Sequence, residues 1–151
     1  MANDEVESRG ADSVHGVDHH LAELVGIVNR SNGEFAITLT VGGMLISGLL
    51  TGGKRYHEEF AEQFLKGMGD LEPETSEPIK EFFKGFGAIY ARQEGDEMPE
   101  PLTTFIHLRE ARFFVPGAAP VPANGGVLWR GRLVKVDGYH LGILTMAGAS
   151  T

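Results

Sequence analysis

The residues most able to do chemistry are six histidines and one Trp-Arg-Gly-Arg run. His19 and His20 are adjacent, and neighbours on a helix point in different directions, which makes them poor co-ligands for one metal ion. His57 opens His57-Glu58-Glu59-Phe60-Ala61 and lacks the second histidine four residues on that a zinc protease requires. His107 and His140 fall on separate predicted strands and could meet, but two ligands do not close a zinc site. The sequence therefore predicts no metal centre. No serine sits in a Gly-x-Ser-x-Gly elbow, and Ser47 reads as one half of a cross-strand hydroxyl pair with Thr38. Gly42-Gly43 and Gly52-Gly53 lack the spacing of a phosphate loop and read as turn glycines. No catalytic residue and no cofactor is expected.

Trp129-Arg130-Gly131-Arg132 is different, because Trp and Arg are the side chains that anchor interfaces. Strand alternation puts Arg130 and Arg132 on one face and Trp129 on the other. With Lys135 and Tyr139 they form the candidate partner-binding set: Trp129, Arg130, Arg132, Lys135 and Tyr139. The competing reading is a core tryptophan beside two solvated arginines.

These residues need a scaffold. Asp137-Gly138 lies between two apolar runs within 127–144 and predicts a type I′ hairpin there, pairing Val136 with Tyr139 and Lys135 with His140. In that register Val134, Val136, Tyr139, Leu141 and Ile143 share an apolar face. A second hairpin is predicted over 34–51 around Gly42-Gly43, with Phe35, Ile37, Leu39, Val41, Met44, Ile46, Gly48 and Leu50 on one face. Gly48 inside a strand predicts sharp curvature or the close approach of another backbone. Between the hairpins the hydrophobic period changes from two to 3.6. One helix is predicted over 54–68 and a second over 77–93, the latter burying Ile79, Phe82, Phe83, Phe86, Ile89 and Tyr90. Residues 70–78 read as an acidic turn and 94–101 as a loop. Residues 103–115 read as a strand that bends or divides around Arg109-Glu110-Ala111, and 116–126 as a flexible surface loop. Near the start, Asp18 is placed to cap a helix through Leu21, Leu24, Val25 and Val28, ended by Ser31-Asn32-Gly33.

The expected fold is α+β: a small SH3-like or Sm-like antiparallel β-barrel or strongly curved sheet, with an N-terminal helix, a two-helix insertion at 54–93, and helices against one side. A helix-backed open antiparallel sheet is the alternative. Residues 1–17 are expected to be a disordered acidic arm, 18–147 a single domain and 148–151 a frayed tail.

Composition bounds the function. The chain has 151 residues, no cysteine and a formal net charge of −8. That rules out disulfides and thiol chemistry, and it counts against generic binding to nucleic acid or anionic membrane. No run approaches the ~20 apolar residues of a membrane span, and no signal peptide is apparent. Charge is uneven, with six Lys or Arg against twelve Asp or Glu over 54–100, whereas 128–144 carries Arg130, Arg132 and Lys135 against Asp137. Opposed patches of this kind attract copies of the chain or another charged assembly.

FIHLREARFF at 105–114, a Pro/Gly/Ala loop, and LWRGRLVKVDGYHLGIL at 128–144 together resemble the C-terminal half of the gas vesicle accessory protein GvpU family. ITLTVGGMLISGLL at 37–50 is similar to that family's first hairpin. The resemblance implies a non-enzymatic cytoplasmic protein associated with gas vesicles, acting in their assembly or clustering with shell or other accessory proteins. The opposed charge patches and the partly apolar outer faces of the hairpins lead to the expectation of a homo-oligomer, and the composition to that of no membrane insertion. The alternative from the residues alone is an Sm-like or SH3-like barrel that binds RNA or another protein.

Overall fold

The computed structural model describes residues 13–14, 16–90 and 104–146. The predicted loop at 94–101, most of the N-terminal arm and the 148–151 tail lie outside the described residues. Helix α1 spans His19–Ser31, followed by β1 at Phe35–Val41 and β2 at Met44–Thr51. Helices α2 at Gly53–Met68 and α3 at Pro73–Gly87 come next, with a 3₁₀ turn at Ala88–Tyr90. Strands β3 at Phe105–Phe114 and β4 at Val127–Arg132 precede a 3₁₀ turn at Leu133–Lys135 and the short β5 at Gly138–Leu141. The five strands form one antiparallel sheet in the order β4-β3-β2-β1-β5.

The β1–β2 hairpin has the predicted register, Phe35 opposite Leu50 and Val41 opposite Met44. Gly42 and Gly43 both take positive φ, at 57° and 82°, as the two central residues of a I′ turn require. Ile37, Leu39, Ile46 and Leu50 are buried on one face. Together with Ile106, Leu108, Ala111 and Leu133 they pack against Leu21, Ala22, Val25 and Val28 of α1. Asp18 caps α1 by accepting the His20 and Leu21 N–H groups, and Asn32 ends it with φ 56°. Val17, assigned by composition to the arm, is buried in this core.

Curvature comes from two places. At Gly48 a Cβ would lie 2.8 Å from the Arg109 carbonyl oxygen, so only glycine permits the strands to approach there, and the β2–β3 register shifts at the same point. The predicted bend in β3 is a second irregularity, with Glu110 at φ 53°.

The predicted hairpin at Asp137-Gly138 does not form. Strands β4 and β5 lie on opposite edges of the sheet, Tyr139 opposite Leu39 and Arg130 opposite His107. Gly138 is not among the glycines with positive φ, so no I′ turn is possible there. Asp137 instead serves the first hairpin, its carboxylate accepting the Gly42 N–H at 2.9 Å and its own N–H donating to Thr40 at 2.8 Å. The chain crosses from edge to edge through the Leu133–Lys135 turn. Four gaps in a flat sheet would span about 19 Å, while a three-residue 3₁₀ turn and three extended residues reach only about 16 Å. The sheet must therefore bend. It does not close into a barrel, because β4 and β5 do not pair with each other. The predicted apolar face of that hairpin is also lost, and Val134, Leu141 and Ile143 are exposed.

Nor do the helices gather on one side. Helix α1 covers the apolar face, and α2 meets the alternate positions of β3, His107 and Arg109, on the other. Helix α3 begins four residues before the predicted start, at Pro73, a residue favoured at the first helical position, and it runs through Pro78. The 116–126 loop is pinned by two backbone hydrogen bonds between Phe113 and Val121 and by Arg112 donating to the Pro122 and Ala123 carbonyls.

The predicted Thr38–Ser47 pair is present at 3.0 Å and holds more than two strands. The Thr38 hydroxyl lies 2.9 Å from the Gly142 carbonyl, and Ser47 accepts the Leu144 N–H at 2.8 Å. One hydroxyl hydrogen cannot serve two acceptors, so Thr38 donates to Gly142 while Ser47 donates to Thr38. Thr38→Val is expected to cost about 1 kcal/mol by leaving the carbonyl without its donor, measurable as a lower urea midpoint at unchanged slope.

Candidate interaction surface

Register puts Arg130 beside His107, and Gly131, having no side chain, leaves room on the other face for the Trp129 ring to lie across it. The Arg130 guanidinium carbon stands 3.5 Å from the centre of the Phe105 ring, a cation–π stack that fixes its plane. Its Nε donates to Nε2 of His107 at 3.2 Å. That nitrogen must be an acceptor, so the His107 proton resides on Nδ1. His107 is only 1% exposed and its pKa is pushed down to about 3, first by burial and then by His57 and Arg130. Burial, and then Arg130, also lowers His57, while burial raises Tyr56. Both imidazoles are therefore neutral at pH 7, and Arg130 keeps the cluster's positive charge.

Helix α2 supplies the opposite wall. Tyr56 and His57 lie 4.6 and 5.6 Å from the His107 ring, and Tyr90 closes the end at 5.4 Å. A cleft of about 270 Å³ opens here, lined by Tyr56, His57, Phe60, Phe83, Phe86 and Arg130. Among the described residues Arg130 has no ion pair.

Beyond the cleft the surface is apolar. The buried residues of α2 all lie between Gly53 and Ala61, and α3 packs along the same helix, with Phe64 against Phe83. Phe82, Phe86 and Ile89, expected in the core, are 63%, 50% and 68% exposed. Their periodicity was that of an amphipathic helix, but no element covers that face among the described residues. Phe64 and Met68 of α2 are exposed beside them. A second groove of about 390 Å³ runs between Phe64, Met68, Pro78, Ile79, Phe82 and Phe83.

The sequence-selected set is not brought together. Trp129 packs on the core side, Arg132 is exposed at the β4 edge, and Lys135 is exposed on the 3₁₀ turn. Tyr139 is on the far edge, its hydroxyl hydrogen-bonded to His20 and its ring stacked on that imidazole at 5.9 Å. Burial, and then Asp18, raises the Tyr139 pKa. His140 pairs with Thr38 there, remote from His107. Only Arg130 joins the cleft. The sequence reading missed Tyr56, His57, Phe60, Phe83, Phe86 and His107 as a group; the available signal was an aromatic-rich insertion opposite a strand carrying His and Arg. Among the described residues no three acidic or histidine side chains converge as a metal would need, and no helix is long and apolar enough to cross a membrane.

No curated protein and no solved structure shows a significant match to this chain. A protein family does: the one described as gas vesicle protein GvpU-like matches residues 18–144, from the cap of α1 to just beyond β5. With that match spanning most of its length, the chain belongs to the GvpU-like family of gas vesicle proteins.

Proposed function

We propose that this protein is a non-enzymatic accessory factor of gas vesicles, the protein-walled, gas-filled compartments that give cells buoyancy. It works in the cytoplasm at the vesicles, in their assembly or clustering, by associating with itself and with shell or other accessory proteins. One observation supports a binding role above all: Phe64, Met68, Phe82 and Phe86 expose an apolar face on the α2–α3 hairpin, with Ile89 exposed on the turn that follows it. A soluble domain rarely leaves so much apolar surface together unless another molecule covers it. Arg130, Arg132 and Lys135 offer the basic groups for acidic partners, while Trp129 packs β4 against the core and Tyr139 packs the far edge of the sheet against it.

The test is cofractionation with purified vesicles by flotation. The full chain is expected to float with them, and Phe82→Ser/Phe86→Ser to reduce the bound fraction about tenfold, since two interface anchors are lost. Arg130→Ala/Arg132→Ala is expected to weaken binding as well, with an unchanged circular dichroism spectrum. Failure of the wild-type chain to float with vesicles would overturn the reading.

A further inference from the structure

The Arg130 cleft and the apolar groove adjoin at Phe83 and lie along the same two helices, with a cation at one end of the pair. We propose that together they bind an amphipathic helix of a partner protein, whose apolar side chains fill the phenylalanine-lined groove and whose Asp or Glu carboxylate pairs with Arg130. The proposal rests on the protein-binding role argued above and specifies its site and its ligand chemistry.

Charge and shape both select this occupant. Arg130 has its Nε committed to His107 and its plane held on Phe105, so the two terminal nitrogens are left fixed in direction and without a carboxylate among the described residues. A guanidinium held in this way matches a carboxylate bidentately and loses little freedom on pairing. The imidazoles behind it are neutral, so neither competes with Arg130 for the anion. Arg130 itself is exposed, so a partner's carboxylate can reach it from solvent. A small free anion would satisfy Arg130 but leave Phe64, Met68, Pro78 and Phe82 uncovered, and an uncharged apolar helix would leave the guanidinium unpaired. Length agrees too: from Phe60 to Met68 the floor runs about 12 Å, close to the ~10.5 Å between positions i and i+7 of a helix, the usual anchor spacing in helix-in-groove recognition.

The experiment is selection of a displayed random 16-residue peptide library on the full chain, followed by affinity measurement on synthesised winners. Winners are expected to carry apolar residues at i, i+3 or i+4, and i+7, with an acidic residue at one end. Replacing that acid by its amide should weaken binding about tenfold on wild type and have no effect on Arg130→Gln. Phe64→Ser/Phe82→Ser should abolish binding of every winner. Winners without a carboxylate, or winners indifferent to Arg130→Gln, would overturn the proposal. So would an empty selection accompanied by an oligomer that dissociates in Phe64→Ser/Phe82→Ser, since a second copy would then be the occupant. The two readings can fail separately. Acid-dependent peptides with no vesicle flotation leave the cleft and remove the vesicle role; flotation unchanged in Arg130→Gln with no acid-dependent peptides does the reverse.

Discussion

Acidification from pH 6.5 to pH 5 is expected to remove about 2 kcal/mol of stability through His107 alone. The folded-state pKa is about 3, because burial and two basic neighbours oppose a second proton, whereas the unfolded chain binds one near pH 6.5. The sign follows directly. Between those two values unfolding takes up a proton, so stability present above pH 6.5 is lost progressively as pH falls toward 3. His57, lowered for the same reason, adds to the slope in the same direction. Urea unfolding at pH 7.5 and pH 5 measures the difference. His107→Phe retains an aromatic ring among Tyr56, Tyr90 and His57 but cannot be protonated, so its stability should fall by about 2 kcal/mol less over that interval. An identical pH dependence in the variant would falsify the assignment.

The same cluster shows where sequence information ran out. The β1–β2 hairpin could be read residue by residue because both halves of the interaction are local: Gly42-Gly43 supplies two positive φ angles, and the turn then fixes every pair up to Phe35 and Leu50. The helix capped by Asp18 was legible for the same reason. Asp137-Gly138 has equally good local chemistry, yet the flanking strands find partners elsewhere, β4 on β3 and β5 on β1. Pattern gives a strand its faces but not its neighbour. In α3 the spacing of Phe82, Phe86 and Ile89 marks an apolar stripe, and spacing is silent about whether this chain or another covers it. His57 and His107 are fifty residues apart, and the contact between them depends on how α2 is laid across β3. Arg130 was legible as an anchor type; its aromatic surroundings were not.

How α2 is held across β3 leads to the second large effect, the loss expected on replacing Arg109. This arginine sits at the bend of β3 and reaches two other elements. Its terminal nitrogen lies 3.0 Å from both carboxylate oxygens of Glu34, just before β1, and its Nε donates to Glu59 of α2. Arg55 of α2 reaches Glu34 as well, at 3.4 Å. The Arg109, Glu34 and Glu59 side chains are 18%, 22% and 26% exposed, too little for water to replace a missing counter-charge fully and too much for a fully buried pair. Arg109→Leu is therefore expected to cost about 2 kcal/mol, between the values for surface and buried pairs, largely because two carboxylates are left facing each other. That mechanism makes a sharper demand than the loss itself. Adding Glu34→Gln and Glu59→Gln to Arg109→Leu should recover more than half of it, and 1 M salt should reduce the single variant's penalty. A triple variant no more stable than Arg109→Leu would mean that the arginine acts through its apolar stem instead. Because Tyr56 and His57 ride on α2 while His107 and Arg130 belong to the sheet, the same substitution should also widen the cleft between them. The readout is faster hydrogen exchange along α2, with β1 and β2 still protected.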